Sequence, residues 1–283
     1  MKDVIVYSHL MKTAGSALLQ SMVQSYGRKV LYINRGSRIE DSKYDNNCLE
    51  RDLKIKGDNA RIVFGHSLRP HLNFDIPQYN FKWVTFLREP EARYLSHFYH
   101  TYYFNSNQFK NRRYDSMKEI NIEEWEKIDR NSNYQCKFIS GEASAQKAID
   151  ILETKFDWVG ITEEMIKGID SLKAHFNLKE FYFQNKSTNR GLADKTEKEK
   201  MRNTYSDFIT EMNLEDKKLY DYVKQNIWSK YKGLKTGNET KYKPNLIEKY
   251  YNTISFHIDS QLNFNKTKLS KNNILRFYRR WVK

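Results

Sequence analysis

An apolar run, Val4-Ile5-Val6-Tyr7, passes almost directly into His9-Leu10-Met11-Lys12-Thr13-Ala14-Gly15-Ser16, and these residues open onto an amphipathic segment. Leu18, Leu19, Met22, Val23 and Tyr26 recur at helical spacing, polar residues stand between them, and Gly27 sits where a helix would stop. A strand that feeds a tight turn and then a helix gathers backbone N–H groups, a lysine and hydroxyls around one anion, normally a phosphate. The turn is not a Walker P-loop, which needs glycine six places and one place before the lysine, where Val6 and Met11 stand. The competing reading is that Lys12 is one of 49 basic residues and Thr13 merely a helix cap.

The same alternation continues along the chain. Val30–Ile33, Arg61–Phe64, Trp83–Leu87 and Phe156–Ile161 read as strands, and Asn34 to Asn47 as a polar loop. Helices are expected over Glu91–Tyr103, Met117–Lys127, Ala143–Thr154, Glu163–Phe176 with Thr162 as its cap, Leu214–Tyr231, Leu246–Leu262 and Asn273–Lys283. Asn185 to Lys200 starts as a basic loop and enters a further helix. Strands interleaved with helices predict an α/β fold with a central parallel sheet flanked by helices. Residues 1–232 form one domain in this reading, 233–245 a linker rich in Gly and Lys, and 246–283 a helical extension packed on the same domain.

Ligands of such sheets lie beyond the carboxyl ends of the strands, where Lys12, His66 and Arg88 all fall. Arg88 follows a strand, and Ser96 lies about two turns into the helix opened by Pro90, a residue favoured at the first helical position. A guanidinium fork with a hydroxyl makes a second anion clamp, separate from the one at Lys12, so the pair predicts a ligand with two anionic ends. Taken alone, Arg88 would read as a surface salt bridge.

Composition agrees without deciding. A formal charge of +14 attracts a nucleotide, an acidic glycan, nucleic acid or an anionic membrane, although Lys- and Asn-rich usage also follows from AT-rich coding. The 39% hydrophobic content is low, but 20 Tyr, 16 Phe and 5 Trp leave a sizeable core feasible. With no secretory apolar region, no membrane-length stretch and only Cys48 and Cys136, the expected setting is reducing and cytoplasmic.

Here the residues carry a resemblance. His9 to Ala17 resembles the phosphosulfate-binding loop of sulfotransferases. The run from Thr85 to His97 (TFLREPEARYLSH) resembles their loop for the 3′-phosphate of PAPS, the activated sulfate donor. The group most similar is the glycan-modifying one of uronyl and heparan sulfate 2-O-sulfotransferases. Phe64-Gly65-His66-Ser67, Phe138-Ile139-Ser140-Gly141, Val159 to Glu164, Ser187-Thr188-Asn189-Arg190 and Lys195 to Lys198 follow in that group's order, so the likeness spans roughly residues 4 to 230. It implies a P-loop-like sulfotransferase fold in which Lys12, Thr13, Ala14, Gly15, Ser16 and Ala17 hold the sulfate-bearing phosphate. Arg88 and Ser96 would hold the 3′-phosphate, Arg190 would reach the donor, and His66 would be the catalytic base, with Lys12 assisting the departing phosphate and no metal involved.

Three positions depart from that pattern. Ala17 replaces a frequent Ser or Thr, Glu89 replaces Asp, and Phe64 takes the place of a second histidine, leaving His66 as the only histidine at that turn. His97 and His100 have a spacing that can bind metal, but no acidic or Cys residue is placed beside them in sequence. Tyr99, Tyr102, Tyr103 and Phe104 either line an acceptor groove or belong to the core. Ile274, Tyr278, Trp281 and Val282 share a helical face beside Lys271, Arg276, Arg279, Arg280 and Lys283, which fits a membrane-surface helix or packing on the domain.

The expected activity is transfer of a sulfuryl group from PAPS, leaving PAP, to a carbohydrate hydroxyl of a cell-surface polysaccharide or glycolipid. The excess charge and the basic Lys110, Arg112 and Arg113 favour an extended, acidic acceptor. The rivals are a protein tyrosine or small alcohol as acceptor, and a non-catalytic basic module binding nucleotides or, less favoured, nucleic acid.

Overall fold

The computed structural model describes residues 1–33, 44–107, 121–183, 195–235 and 243–263. Five strands, β1 (Lys2–Ser8), β2 (Val30–Ile33), β3 (Ile62–Gly65), β4 (Tyr79–Leu87) and β5 (Phe156–Ile161), form one sheet in the order β2-β3-β1-β4-β5. Every pairing is parallel, with Ser8 opposite Gly65 and Tyr7 opposite Val84 in the two ladders of β1. The α/β class expected from the sequence is observed.

Alternation along β1 explains why both faces are covered. Ile5 and Tyr7 join Phe64, Val84 and Phe86 beneath α1 (Gly15–Tyr26), while Val4 and Val6 join Val63, Leu31 and Trp83 beneath α2 (Asn46–Lys56). Strands buried on both faces read as continuous apolar runs, and these do. Gly65 has no room for a side chain, because a Cβ there would lie 1.9 Å from the Ile33 carbonyl oxygen of β2.

A third cluster forms around α3 (Pro90–Asn107). Tyr94, Leu95, Phe98 and Tyr99 pack against Ile122 and Trp125 of α4 (Ile122–Asp129) and Ile209 of α9 (Ser206–Met212). Tyr99 is therefore core rather than groove. The remaining helices are α5 (Tyr134–Ser140), α6 (Ala145–Lys155), α7 (Met165–Phe176), α8 (Lys195–Thr204) and α10 (Leu214–Tyr222); α10 runs through a π turn into α11 (Trp228–Tyr231). Last among the described elements, α12 (Leu246–Asn263) packs on α1, and its Phe256 enters the main core.

Several local expectations need correction. α4 begins at Ile122 because the Asn121 side chain accepts from Glu124 N and caps it there; residues 117–120 of the expected helix lie outside the described residues. Ser144 caps α6, whose first residue is Ala145 rather than Ala143. Thr162 caps nothing, because its hydroxyl donates to the Leu87 carbonyl at 2.7 Å and so ties the end of β5 to the end of β4. α2 and α5 occupy stretches for which no helix was expected.

Candidate functional site

β1 stands in the middle of the sheet, β3 on one side and β4 on the other, so the loops after these three strands meet over one crevice. The loop after β1 is bent by two non-glycine residues in the left-handed region, Lys12 at φ 70° and Ala14 at φ 60°. Ala14 is the N-cap of α1 and offers no side chain, while Thr13 is buried and its hydroxyl donates to the Leu10 carbonyl at 2.8 Å. Thr13 thus braces the loop and does not cap the helix. The N–H groups of Gly15 and Ser16 open the first turn, where no intrahelical acceptor exists for them. Ser16 is exposed and Ala17 half-buried beside it.

His66 stands directly after β3. Its Nδ1 lies 2.7 Å from the His9 carbonyl oxygen; a carbonyl only accepts, so Nδ1 carries the proton and Nε2 keeps its lone pair. Burial lowers the His66 pKa to about 4, against the raising effect of that hydrogen bond and with help from Arg69 and His97. The ring stacks on His9 with centroids 4.1 Å apart. His66 is the only histidine of this turn, but a second imidazole lies beside it. It comes from the end of β1 instead of from position 64, where Phe64 packs in the core.

His9 is buried, its Nδ1 has no hydrogen-bond partner, and burial, then His66 and Lys12, hold its pKa well below the usual imidazole value. Gly15 makes room for it. A Cβ on Gly15 would fall 1.6 Å from His9 Nε2, so the ring and the glycine interlock the loop with the first turn of α1.

Arg88 follows β4 and reaches back across the crevice, where its Nη1 donates to the Lys12 carbonyl at 2.9 Å. The two clamps expected to be separate are therefore joined. Burial, then the guanidiniums of Arg88 and Arg93, lowers the Lys12 pKa to about 8. The backbone of Arg88 is held by Gln135 of α5, whose Oε1 accepts from Arg88 N at 3.0 Å and whose Nε2 donates to Arg88 O at 2.9 Å. Glu89 serves as cap for α3, accepting from Ala92 N at 2.7 Å and Glu91 N at 3.2 Å.

Arg93, Ser96, His97 and His100 fall on one side of α3 by helical spacing. Lys12 lowers the pKa of both His97 and His100, the latter to about 4 with burial as the leading cause, so this side faces the loop after β1. Ser96 is half-buried there. Arg93, fully buried, donates to Asn131 Oδ1 at 2.6 Å and lies over the Tyr134 ring at 4.7 Å; its Nε and Nη1 have no hydrogen-bond partner. His97 does have an acidic neighbour, since its Nε2 lies 2.8 Å from Asp129 Oδ2. Among the described residues no group of three or more His, Cys, Asp or Glu is arranged to hold a metal ion.

Sequence reasoning missed His9 as a ring contributor, Arg93, Gln135 and the His97–Asp129 pair. The signal for Arg93 was present in its spacing from Ser96 on one helix; Gln135 had none, because its role depends on a contact 47 residues away. Arg190, Lys110, Arg112, Arg113 and residues 273–283, for which a helix was expected, lie outside the described residues, as do the side chains of Tyr102, Tyr103 and Phe104. Cys136 is buried, Cys48 is half-buried, and neither is in a disulfide. Among the described residues no helix is long and apolar enough to cross a membrane.

The sequence matches no model of a known protein family, and no curated protein matches it.

Proposed function

We propose that the chain transfers the sulfuryl group of PAPS to a hydroxyl, with a carbohydrate as acceptor. The observation that carries this reading is the His66–His9 hydrogen bond, which leaves a neutral imidazole with its Nε2 lone pair at the sheet edge that also carries Lys12 and Arg88. A binding module has no use for such a base. Lys12 and Arg88, with Arg93 behind them, lie close enough to disfavour one another's charge, so a polyanion entering the crevice would relieve their repulsion. That is the fit expected of a donor bearing phosphates.

PAPS supplies, when bound, a sulfuryl group on a phosphate leaving group. In this reading Lys12 and the N–H groups of Gly15 and Ser16 hold the phosphate that bears the sulfate, and Arg88 with Ser96 holds the 3′-phosphate. Nε2 of His66 accepts the acceptor's hydroxyl proton while Nδ1–H stays on the His9 carbonyl. A base with a pKa near 4 is weak, but negative charge brought beside it raises that value toward neutrality, so donor binding would tune the base it needs.

The carbohydrate assignment rests on the resemblance of the two loops to glycan sulfotransferases. The deciding experiment incubates the protein with PAPS and acidic polysaccharides and follows sulfate gain by mass spectrometry alongside PAP release. Sulfation that drops by about two to four orders of magnitude in His66→Ala, with PAP affinity retained, is the expected result. PAP binding without sulfation of any glycan, tyrosine peptide or alcohol would make the protein a nucleotide-binding module instead.

A further inference from the structure

α12 is sided in an unusual way. Phe256 is 6% exposed and packs into the core, and Asn252 Nδ2 donates to the Gln24 carbonyl of α1 at 2.9 Å. On the opposite side Ile247, Tyr251, Ile254 and Ile258 follow at spacings of four, three and four, and their exposures are 80%, 67%, 52% and 47%. Residues so spaced share one helix face, and a helix on a soluble surface normally keeps that outer face polar.

Tyr251 also borders an open cavity of about 220 Å³ whose walls include Arg28, Lys29 and Asn59. Arg28 and Lys29 are exposed and form the turn just before β2, hence at the amino-end edge of the sheet, away from the crevice. Among the described residues no carboxylate pairs with either side chain. The chain continuing from α12, residues 264–283, contains no Asp or Glu, and all its charges are Lys or Arg.

We propose that this face docks on an anionic lipid bilayer, with the four apolar side chains entering the interfacial layer and Arg28 and Lys29 meeting phosphate-bearing headgroups. The helix would lie in the interface plane rather than span it. Charge favours a bilayer over a second copy of the chain: two chains of charge +14 repel one another, whereas an anionic surface attracts them. Docked in this way, the protein keeps the carboxyl ends of its strands at the far edge of the sheet. The inference does not rest on the proposed activity.

The test is flotation of the full chain with vesicles of phosphatidylcholine alone and of phosphatidylcholine with about one-third phosphatidylserine. Binding is expected on the anionic vesicles and not on the neutral ones. Ile254→Asp and Ile258→Asp, both at exposed positions, should each lower partition about tenfold with an unchanged melting temperature. Arg28→Ala and Lys29→Ala should each lower it about fivefold. Failure to float with anionic vesicles, equal binding to both compositions, or unaltered partition of the aspartate variants overturns the proposal. So does a dimer seen by light scattering without lipid and abolished by Ile254→Asp, which would make a second copy the occupant.

Discussion

Asn133 and Asp216 cap each other's helices. Asn133, the N-cap of α5, accepts through Oδ1 from Glu215 N at 2.9 Å and Asp216 N at 3.1 Å in the first turn of α10. The Asp216 carboxylate returns the arrangement, accepting from Gln135 N at 3.0 Å and Cys136 N at 2.8 Å in the first turn of α5. Since Gln135 grips the backbone of Arg88, this exchange fixes where the guanidinium at the crevice stands.

Asp216→Ala removes two buried acceptors and a carboxylate whose charge supports the buried Arg93. A loss of about 3–5 kcal/mol is expected in urea unfolding, against about 1–2 kcal/mol for the cap lost in Asn133→Ala plus the strain of alanine at the left-handed φ of 45°. The two changes should be non-additive by at least about 0.5 kcal/mol. Simple additivity would mean that the two helix ends are capped independently.

Gly15→Ala drives a methyl group into the His9 ring. Overpacking of about 1–3 kcal/mol is expected, together with weaker PAP binding, because the first turn of α1 must shift. Adding His9→Ala should recover part of the loss. A double variant as unstable as the sum of the single ones would show that the ring contact is not the cause.

Anion binding should be coupled to proton uptake. With its pKa near 8, Lys12 is about half protonated at pH 8, and a bound phosphate restores full charge. Calorimetric titration with PAP in buffers of different ionisation enthalpy should show roughly half a proton taken up at that pH. Lys12→Ala should abolish the uptake and weaken binding. The same uptake in wild type and variant would place the titrating group elsewhere.

Acid should destabilise the free protein earlier than carboxylate protonation alone would. Folded His9, His66, His97 and His100 all have lowered pKa values, so between roughly pH 4 and 6.5 the unfolded chain binds more protons, and stability falls as pH falls through that window. His66→Gln should flatten part of the slope. A urea midpoint that is level from pH 7 to pH 5 would contradict the burial of these rings.

Lys12, His66 and Arg88 were legible because each stands where an apolar run breaks off, and the alternation of runs and helices sends all such breaks to one edge of a parallel sheet. What joins them was not. The bond from Arg88 to the Lys12 carbonyl spans 76 residues, and that from Gln135 N to Asp216 spans 81, so neither leaves a local pattern. α2 was hidden for another reason: most of its residues are polar, and only Leu49 and Leu53 reach deep into the core. Thr162 misled because a threonine before an acidic run looks like a cap, while the nearby Leu87 carbonyl claimed its hydroxyl.

The strand order also governs how the chain is made. β1 is synthesised first yet occupies the centre, and its partners end only at Gly65 and Leu87. A ribosome that has released β1 and β3 but not yet β4 has therefore freed a hydrophobic strand whose second edge is still bare, a state open to pairing with other chains. Nascent chains arrested before β4 has emerged from the ribosome should need a holdase, and those arrested after its emergence should have the central strand paired on both sides.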